Sequence, residues 1–355
     1  MEGLEVSFWS RKRVLLTGHT GFKGAWAARW LAGQGALITG LALPPLPGPN
    51  LFNMLGQGHL AASHLVDLRD LAAVEAVVKV ADPDLVLHMA AQPLVRLSYD
   101  DPVGTFGSNI MGTVHLLDAL RRLSRPQAVL IVTSDKVYAN DNSGRAYVEG
   151  DPLSGYDPYS ASKAATEIIA ASFRDSYFAP LGLPVVTARG GNVIGGGDYS
   201  VDRLVPDIVR ALSRNEAVVL RNPSATRPWQ HVLDCLDGYF TYLSSIALGR
   251  SLPPALNFGP LAGTPSFTVA ALADALLTAM GRPAMHRLDP VTGPHEMTRL
   301  SIDPGLACST LPWRPRLSSD AMLQLTADWY AAQAAGQDIA ALTDAQIAQY
   351  QDLAP

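Results

Sequence analysis

Three glycines in the first 24 residues restrict this chain more than any other feature. Gly18, Gly21 and Gly24 recur at three-residue intervals in Thr17-Gly18-His19-Thr20-Gly21-Phe22-Lys23-Gly24, directly after the apolar run 14–16 and at the head of a helical stretch, 24–34. Glycines at that spacing allow a tight strand-to-helix turn. They also let the backbone approach a pyrophosphate, whose charge the N–H groups of a helix N-terminus stabilise. The arrangement predicts an opening βαβ unit that holds a dinucleotide. A glycine-rich turn of purely structural role is the competing reading, and the position between strand and helix argues against it.

The first half of the chain keeps the alternation that such a unit requires. Strands are predicted over 36–41, 85–88, 129–133 and 185–188, and helices over 109–122 and 160–173, from apolar runs and helical periodicity. The expected class is α/β, a doubly wound, Rossmann-type parallel sheet with a second, smaller α/β substrate domain. The second domain is predicted because segments after Arg189, notably 190–197 and 221–228, become rich in Gly, Pro and Asn. Its expected extent is about 189–229 and 261–355. The dinucleotide domain takes 1–188 and about 230–260, with 233–243 and 257–259 returning to it. Two C-terminal helices are expected over 269–280 and 319–333.

The chain's 355 residues suffice for two cored domains, and 48% hydrophobic against 17% charged residues indicates compact folding. Lys and Arg (27) against Asp and Glu (32) leave a net charge of -5, which provides no broad basic field. Nucleic acid and membrane surfaces are therefore not expected partners. Cys235 and Cys308 stand apart in no ligand spacing, so neither a metal site nor a disulfide framework is expected. With no signal peptide and no apolar run of about 18 residues, the expected location is the cytoplasm.

Two further motifs carry chemistry. Tyr159 and Lys163 lie four residues apart on one helix face, where a cation favours the phenolate and makes the tyrosine usable as a base. Thr133-Ser134-Asp135-Lys136 closes the fifth apolar strand at the sheet edge where ligands bind in such folds. Hydride transfer alone needs no extra acid and base. Elimination of water does, since one group removes a carbon-bound proton while another protonates the departing hydroxyl. The competing readings are a solvated Tyr/Lys pair and a capping Ser-Asp turn followed by an exposed lysine. Asp67 lies where a βα turn would meet an adenine, and Ala90 and Ala91 are small enough to let a cofactor lie against a strand end. The second strand runs into Gly40-Leu41-Ala42-Leu43-Pro44, without the acid or arginine that usually separates NAD from NADP.

On these residues, and on 88–96, 191–198 and 227–233, the chain resembles the extended short-chain dehydrogenase/reductases and, within them, the nucleotide-sugar 4,6-dehydratases, over nearly its whole length. The glycine and Tyr-Lys motifs occur across the superfamily. Lys136 is narrower, since relatives acting on dTDP- or GDP-sugars usually carry Glu there. The resemblance implies NAD, held by Gly18, His19, Thr20, Gly21, Phe22, Lys23, Gly24, Asp67, Leu68, Ala90, Ala91, Gln92, Asn109, Tyr159 and Lys163. It implies a CDP-linked glucose held by Gln92, Arg96, Ser134, Asn192, Arg203, Arg227, His231 and His295, and a homodimer or homotetramer. By the same resemblance, Tyr159 with Lys163 takes the proton of the sugar 4-hydroxyl, Ser134 hydrogen-bonds that oxygen, Lys136 removes the carbon 5 proton and Asp135 protonates the leaving 6-hydroxyl. Asn109 steadies this geometry. Two alternatives stay open: a dehydratase or 4-epimerase of another nucleotide sugar, and a non-catalytic dinucleotide sensor. An epimerase has no use for the Asp135/Lys136 pair.

Overall fold

The computed structural model describes residues 7–264, 266–284, 286–288 and 297–354. Its strands are β1 Arg13–Thr17, β2 Leu37–Ala42, β3 Ala62–Leu65, β4 Leu85–His88, β5 Ala128–Val132, β6 Ala146–Tyr147, β7 Val185–Gly190, β8 Asn192–Ile194, β9 Val218–Leu220, β10 Trp229–His231, β11 Ala255–Phe258, β12 His286–Leu288 and β13 Ser301–Ile302. Seven form one parallel sheet in the order β11-β7-β5-β4-β1-β2-β3. Strands β4 (LVLH) and β5 (AVLIV) are buried at every position, as strands covered by helices on both faces must be. One face packs on the helices Phe22–Gly33 and Val232–Ala247 through Trp26, Leu31, Leu236 and Tyr239. The other packs on Leu71–Ala81, Gly112–Leu120 and Pro158–Phe173 through Val74, Val78, Leu116, Leu117 and Ala170. The sheet is doubly wound, and its strand order reverses between β1 and β4, where a crevice opens at the carboxyl ends.

Among the departures from the sequence expectation, three are instructive. The helix expected over 109–122 begins regularly only at Gly112, because Gly107–Met111 forms a wider π-type turn. Strand β3 (ASHL) is a half-buried edge strand, too polar to stand out as an apolar run. The helix Ile339–Gln351 is likewise absent from the expectation, its buried residues being few and mixed with polar ones.

The segment after β7 builds the short parallel pairs β8–β10 and β9–β12 and the helix Leu204–Ser213. The last helices, Ser319–Ala334 and Ile339–Gln351, return to the first one. Trp329 covers Gly196, where an added Cβ would lie 1.9 Å from the indole, and the rings of Trp30 and Tyr350 meet edge-on at 5.6 Å. Among the described residues, no helix is long and apolar enough to cross a membrane, and no three His, Cys, Asp or Glu side chains gather as a metal site requires.

Candidate active site

The glycine turn is built by backbone packed on backbone. Gly18 has φ +80°, and a Cβ there would stand 2.8 Å from the Ala90 nitrogen; a Cβ on Gly24 would stand 2.0 Å from the Gly18 carbonyl oxygen. Thr17 fastens this turn to the end of β4, its Oγ1 accepting from the N–H groups of Met89 and Ala90 at 3.1 Å each and contacting His88 Nδ1 at 2.6 Å. Burial pulls the His88 imidazole down to about 3, so this clamp is neutral. The helix Phe22–Gly33 starts at Gly21 with no side-chain cap and no acid in its first turn. Its unpartnered N–H groups and dipole are therefore available to an anion.

A cavity of about 660 Å³ runs from this turn to the segment after β7. Thr20, Lys23, Asp67, Leu68, Ala91, Gln92 and Lys163 line it with the three glycines, Phe22 and Ala90. Asp67 is held in a pair with Arg69 at 2.6 Å, which keeps its carboxyl below the usual range. His19 is placed differently from expectation. Its imidazole turns under the turn into the room left by Gly40, bonds Ser63 Oγ at 2.8 Å and packs edge-on against Phe52, and burial lowers it to about 4. Asn109 also lies behind the wall. Its amide clamps the backbone N–H and C=O of Gln92 (2.8 and 3.1 Å) and donates to Ser162 Oγ at 2.8 Å, tying the β4 exit loop to the helix that carries Tyr159.

Ser134, Asp135, Lys136 and Tyr159 all face this cavity. Ser134 ends β5, where its Oγ donates to Asp135 Oδ1 at 3.0 Å and accepts from the Lys136 N–H at 3.2 Å. Asp135 is 1% exposed, its Oδ2 has no partner among the described residues, and Lys136 Nζ lies 3.5 Å from Oδ1. Asp157 caps the helix Pro158–Phe173 and so fixes Tyr159 in its first turn.

The electrostatics of the Tyr159 and Lys163 pair are set mainly by burial. Burial pushes the Tyr159 phenol up; a hydrogen bond with Ser134 and the charge of Arg203 pull it part of the way back. The Lys163 ammonium donates to the Val132 carbonyl at 3.0 Å, and burial, with a smaller effect from Lys23, lowers it to about 7.

Behind the site lies a network that sequence reasoning missed. Glu167 accepts from Thr133 Oγ1 (2.5 Å), Thr187 Oγ1 (2.7 Å) and Arg189 Nη2 (2.9 Å). Arg189 Nη1 donates to the Tyr138 hydroxyl and the Glu149 carbonyl, each at 3.0 Å. One signal was available: Glu167 stands four residues after Lys163, a carboxylate on the face that must pack against the sheet.

On the substrate side, Arg96, Asn192, Arg203 and Arg227 line the cavity. Asn192 Oδ1 is buried without a partner among the described residues, and Arg203 Nη2 donates to the Pro93 carbonyl at 3.2 Å. The Gln92 amide is engaged within its own loop, with Leu94 and Thr105. His231 is corrected: fully buried, neutral because burial lowers it to about 3, it caps the helix Val232–Ala247 through Leu233 N and does not line the cavity. His295 lies outside the described residues.

Comparison with known proteins agrees with this architecture. The model of the NAD dependent epimerase/dehydratase family matches residues 14–257. The CDP-glucose 4,6-dehydratase of Salmonella typhimurium (strain LT2) is 40% identical over 353 residues, 98% of either chain. The dTDP-glucose 4,6-dehydratase of Xanthomonas campestris pv. campestris (strain B100) is 28% identical over 334 residues, 89% of this chain and 92% of that one. Among solved structures, UDP-glucose 4-epimerase of Thermus thermophilus, in complex with NAD, aligns with a TM-score of 0.76 at 25% identity, covering 90% of this chain and 98% of that one. The chain belongs to the NAD dependent epimerase/dehydratase family.

Proposed function

We propose that this chain is an NAD-dependent lyase that converts CDP-D-glucose to CDP-4-dehydro-6-deoxy-D-glucose and water. The observation that carries the reading is the meeting of Ser134, Asp135, Lys136 and Tyr159 in the cavity that also holds the glycine turn. The 40% identity to a CDP-glucose 4,6-dehydratase supports the substrate.

The uncapped helix start and the Gly18/Gly24 turn fit the pyrophosphate of NAD, with Asp67 and Leu68 toward its adenine end and Tyr159 and Lys163 toward its nicotinamide end. When bound, NAD supplies an acceptor for the carbon 4 hydride, which it returns to carbon 6. The protein's own groups move the protons. Tyr159 and Ser134 line the same cavity, and Ser134 donates to Asp135, so hydroxyls stand between the sugar 4-oxygen and a carboxyl. As carbon 4 is oxidised, the 4-hydroxyl proton enters this relay at Tyr159 and one leaves it onto Asp135. Lys136 then takes the carbon 5 proton; the electron pair forms the carbon 5–carbon 6 double bond, and Asp135 protonates the 6-oxygen as it departs as water. Lys136 returns its proton to carbon 5 when hydride reaches carbon 6, and both side chains are then as they began.

Arg203, Arg227 and Asn192 supply donors for the sugar diphosphate. The division of labour that we infer is 1–188 and about 230–260 for NAD, and about 189–229 and 261–355 for the nucleotide sugar. Leu97, Val103, Phe106, Met111 and Ile168 expose apolar surface around the helices 95–106 and 158–173, which supports pairing of chains there into a dimer or tetramer. The free cysteines Cys235 and Cys308 suit a reducing cytoplasm.

The test is incubation of the NAD-loaded protein with CDP-, dTDP-, GDP- and UDP-glucose, followed by mass spectrometry. Loss of one water from CDP-glucose is expected; loss only from another sugar nucleotide overturns the substrate. Lys136→Ala is expected to bind NAD normally and to lose dehydration, and full turnover would exclude Lys136 as the base.

A further inference from the structure

We infer that Asp207 and Arg221 read the pyrimidine ring and select cytosine over uracil and thymine. This deepens the CDP-glucose reading and rests on it. Asp207 comes from the first turn of the helix Leu204–Ser213 and Arg221 directly follows β9, so two adjacent elements bring both side chains to the cavity wall. Each is about a third exposed, at 31% and 32%, hence open to a ligand. Arg221 is aimed by an ion pair between its Nη1 and Asp202, and Asp207 by Arg210 Nη2 at 2.5 Å. Arg210 in turn donates to the carbonyls of Tyr199 and Ser200, each at 3.0 Å.

Two properties of this cluster point to a base rather than a phosphate. Its charges cancel, Asp202 and Asp207 against Arg210 and Arg221, so it gives a diphosphate no net attraction, whereas Arg203 and Arg227 stand elsewhere on the same wall. Across the gap, Arg221 Nη2 and Asp207 Oδ2 are 3.6 Å apart, too far for a hydrogen bond between them. A donor and an acceptor therefore stand side by side. The order along the ligand follows: Arg203, proposed for the diphosphate, stands at the head of the helix, and Asp207 lies one turn beyond it on the same wall.

Cytosine offers an acceptor at N3 beside an N4 amino donor, which Arg221 and Asp207 complement. Uracil and thymine reverse that order. With the ribose and phosphates anchored, they set O4 against the carboxylate and N3–H against the guanidinium, an arrangement that repels rather than merely failing to attract.

The experiment compares kcat/KM for CDP-glucose and UDP-glucose in the NAD-loaded wild type, Asp207→Asn and Asp207→Ala. Both variants are expected to lower the CDP-to-UDP ratio by about tenfold or more, the value of one hydrogen bond to a charged group. Asp207→Asn, whose amide N–H2 faces O4, is expected to raise kcat/KM for UDP-glucose above wild type, and Asp207→Ala is not. A ligand-side measurement needs no variant: inhibition by CDP is compared with inhibition by its analogue lacking the N4 amino group, and the analogue is expected to bind about tenfold more weakly. Equal inhibition, or an unchanged ratio in both variants of a wild type that prefers CDP-glucose, overturns the base reading and leaves the dehydratase reading standing. A wild type that prefers another sugar nucleotide overturns both.

Discussion

The Glu167–Arg189 pair gives the sharpest test of how the site is held. Both residues are buried, at 6% and 4% exposure, with a 2.9 Å contact. At an effective dielectric of about 20 their attraction is about 6 kcal/mol, most of it offset by desolvation. Glu167→Gln keeps the shape and one acceptor but leaves the guanidinium without its counter-charge. Removing one member of a buried pair costs about 3–5 kcal/mol. An unfolding entropy of about 2.1 cal/mol/K per residue over 355 residues is about 0.75 kcal/mol/K, so the melting temperature is expected to fall by about 4–7 °C. Differential scanning calorimetry of the variant measures this directly. The double variant Glu167→Leu with Arg189→Met, which replaces the pair by apolar groups, is expected to lose less than the single one, because no buried charge is stranded. A single variant that melts within about 1 °C of wild type, or a double variant that is the less stable of the two, would falsify the argument that charge pairing rather than packing holds this junction.

Two further outcomes follow from separate parts of the molecule. Gly24→Ala puts a Cβ 2.0 Å from the Gly18 carbonyl oxygen and is expected to weaken NAD binding by at least about tenfold by titration calorimetry, since helix start and turn must separate. Gly33→Ala, in open space at the other end of the same helix, is expected to bind NAD normally and to gain about 0.5–1 kcal/mol; equal binding by both variants would refute the close-packed turn. Asp234, raised to about 6 chiefly by burial, accepts from Arg316 N and the Tyr350 hydroxyl at the junction with the last helix. A carboxyl whose folded value exceeds its unfolded value of 3.8 destabilises the fold as pH rises through that interval and adds nothing further above it. Asp234→Asn is therefore expected to gain about 3 kcal/mol relative to wild type between pH 4 and pH 8 in denaturant melts, and a pH-independent difference would exclude the linkage.

The parts of the site legible in the sequence are those whose meaning is local. Gly18 and Gly24 announce a turn because only glycine tolerates the approach, and Tyr159 and Lys163 share a helix face by spacing alone. What stayed hidden depends on partners distant in the chain. The spacing placed Lys163 on the face of Tyr159 but gave no hint of the Val132 carbonyl to which its ammonium donates, nor of the Arg203 charge, from the segment after β7, that reaches the phenol. His19 and His231 looked like ligands because they sit in motifs, yet Gly40 leaves a slot for one and a helix start claims the other. These corrections bear on chemistry. A phenol that burial pushes up is a poor isolated base, and Ser134, which donates to Asp135, gives the proposed relay a route for its proton. In the proposed reaction Asp135 receives through that relay the proton that it later gives to the 6-oxygen. The order of the proposed steps, oxidation at carbon 4 before loss of water, then follows from where the proton is delivered.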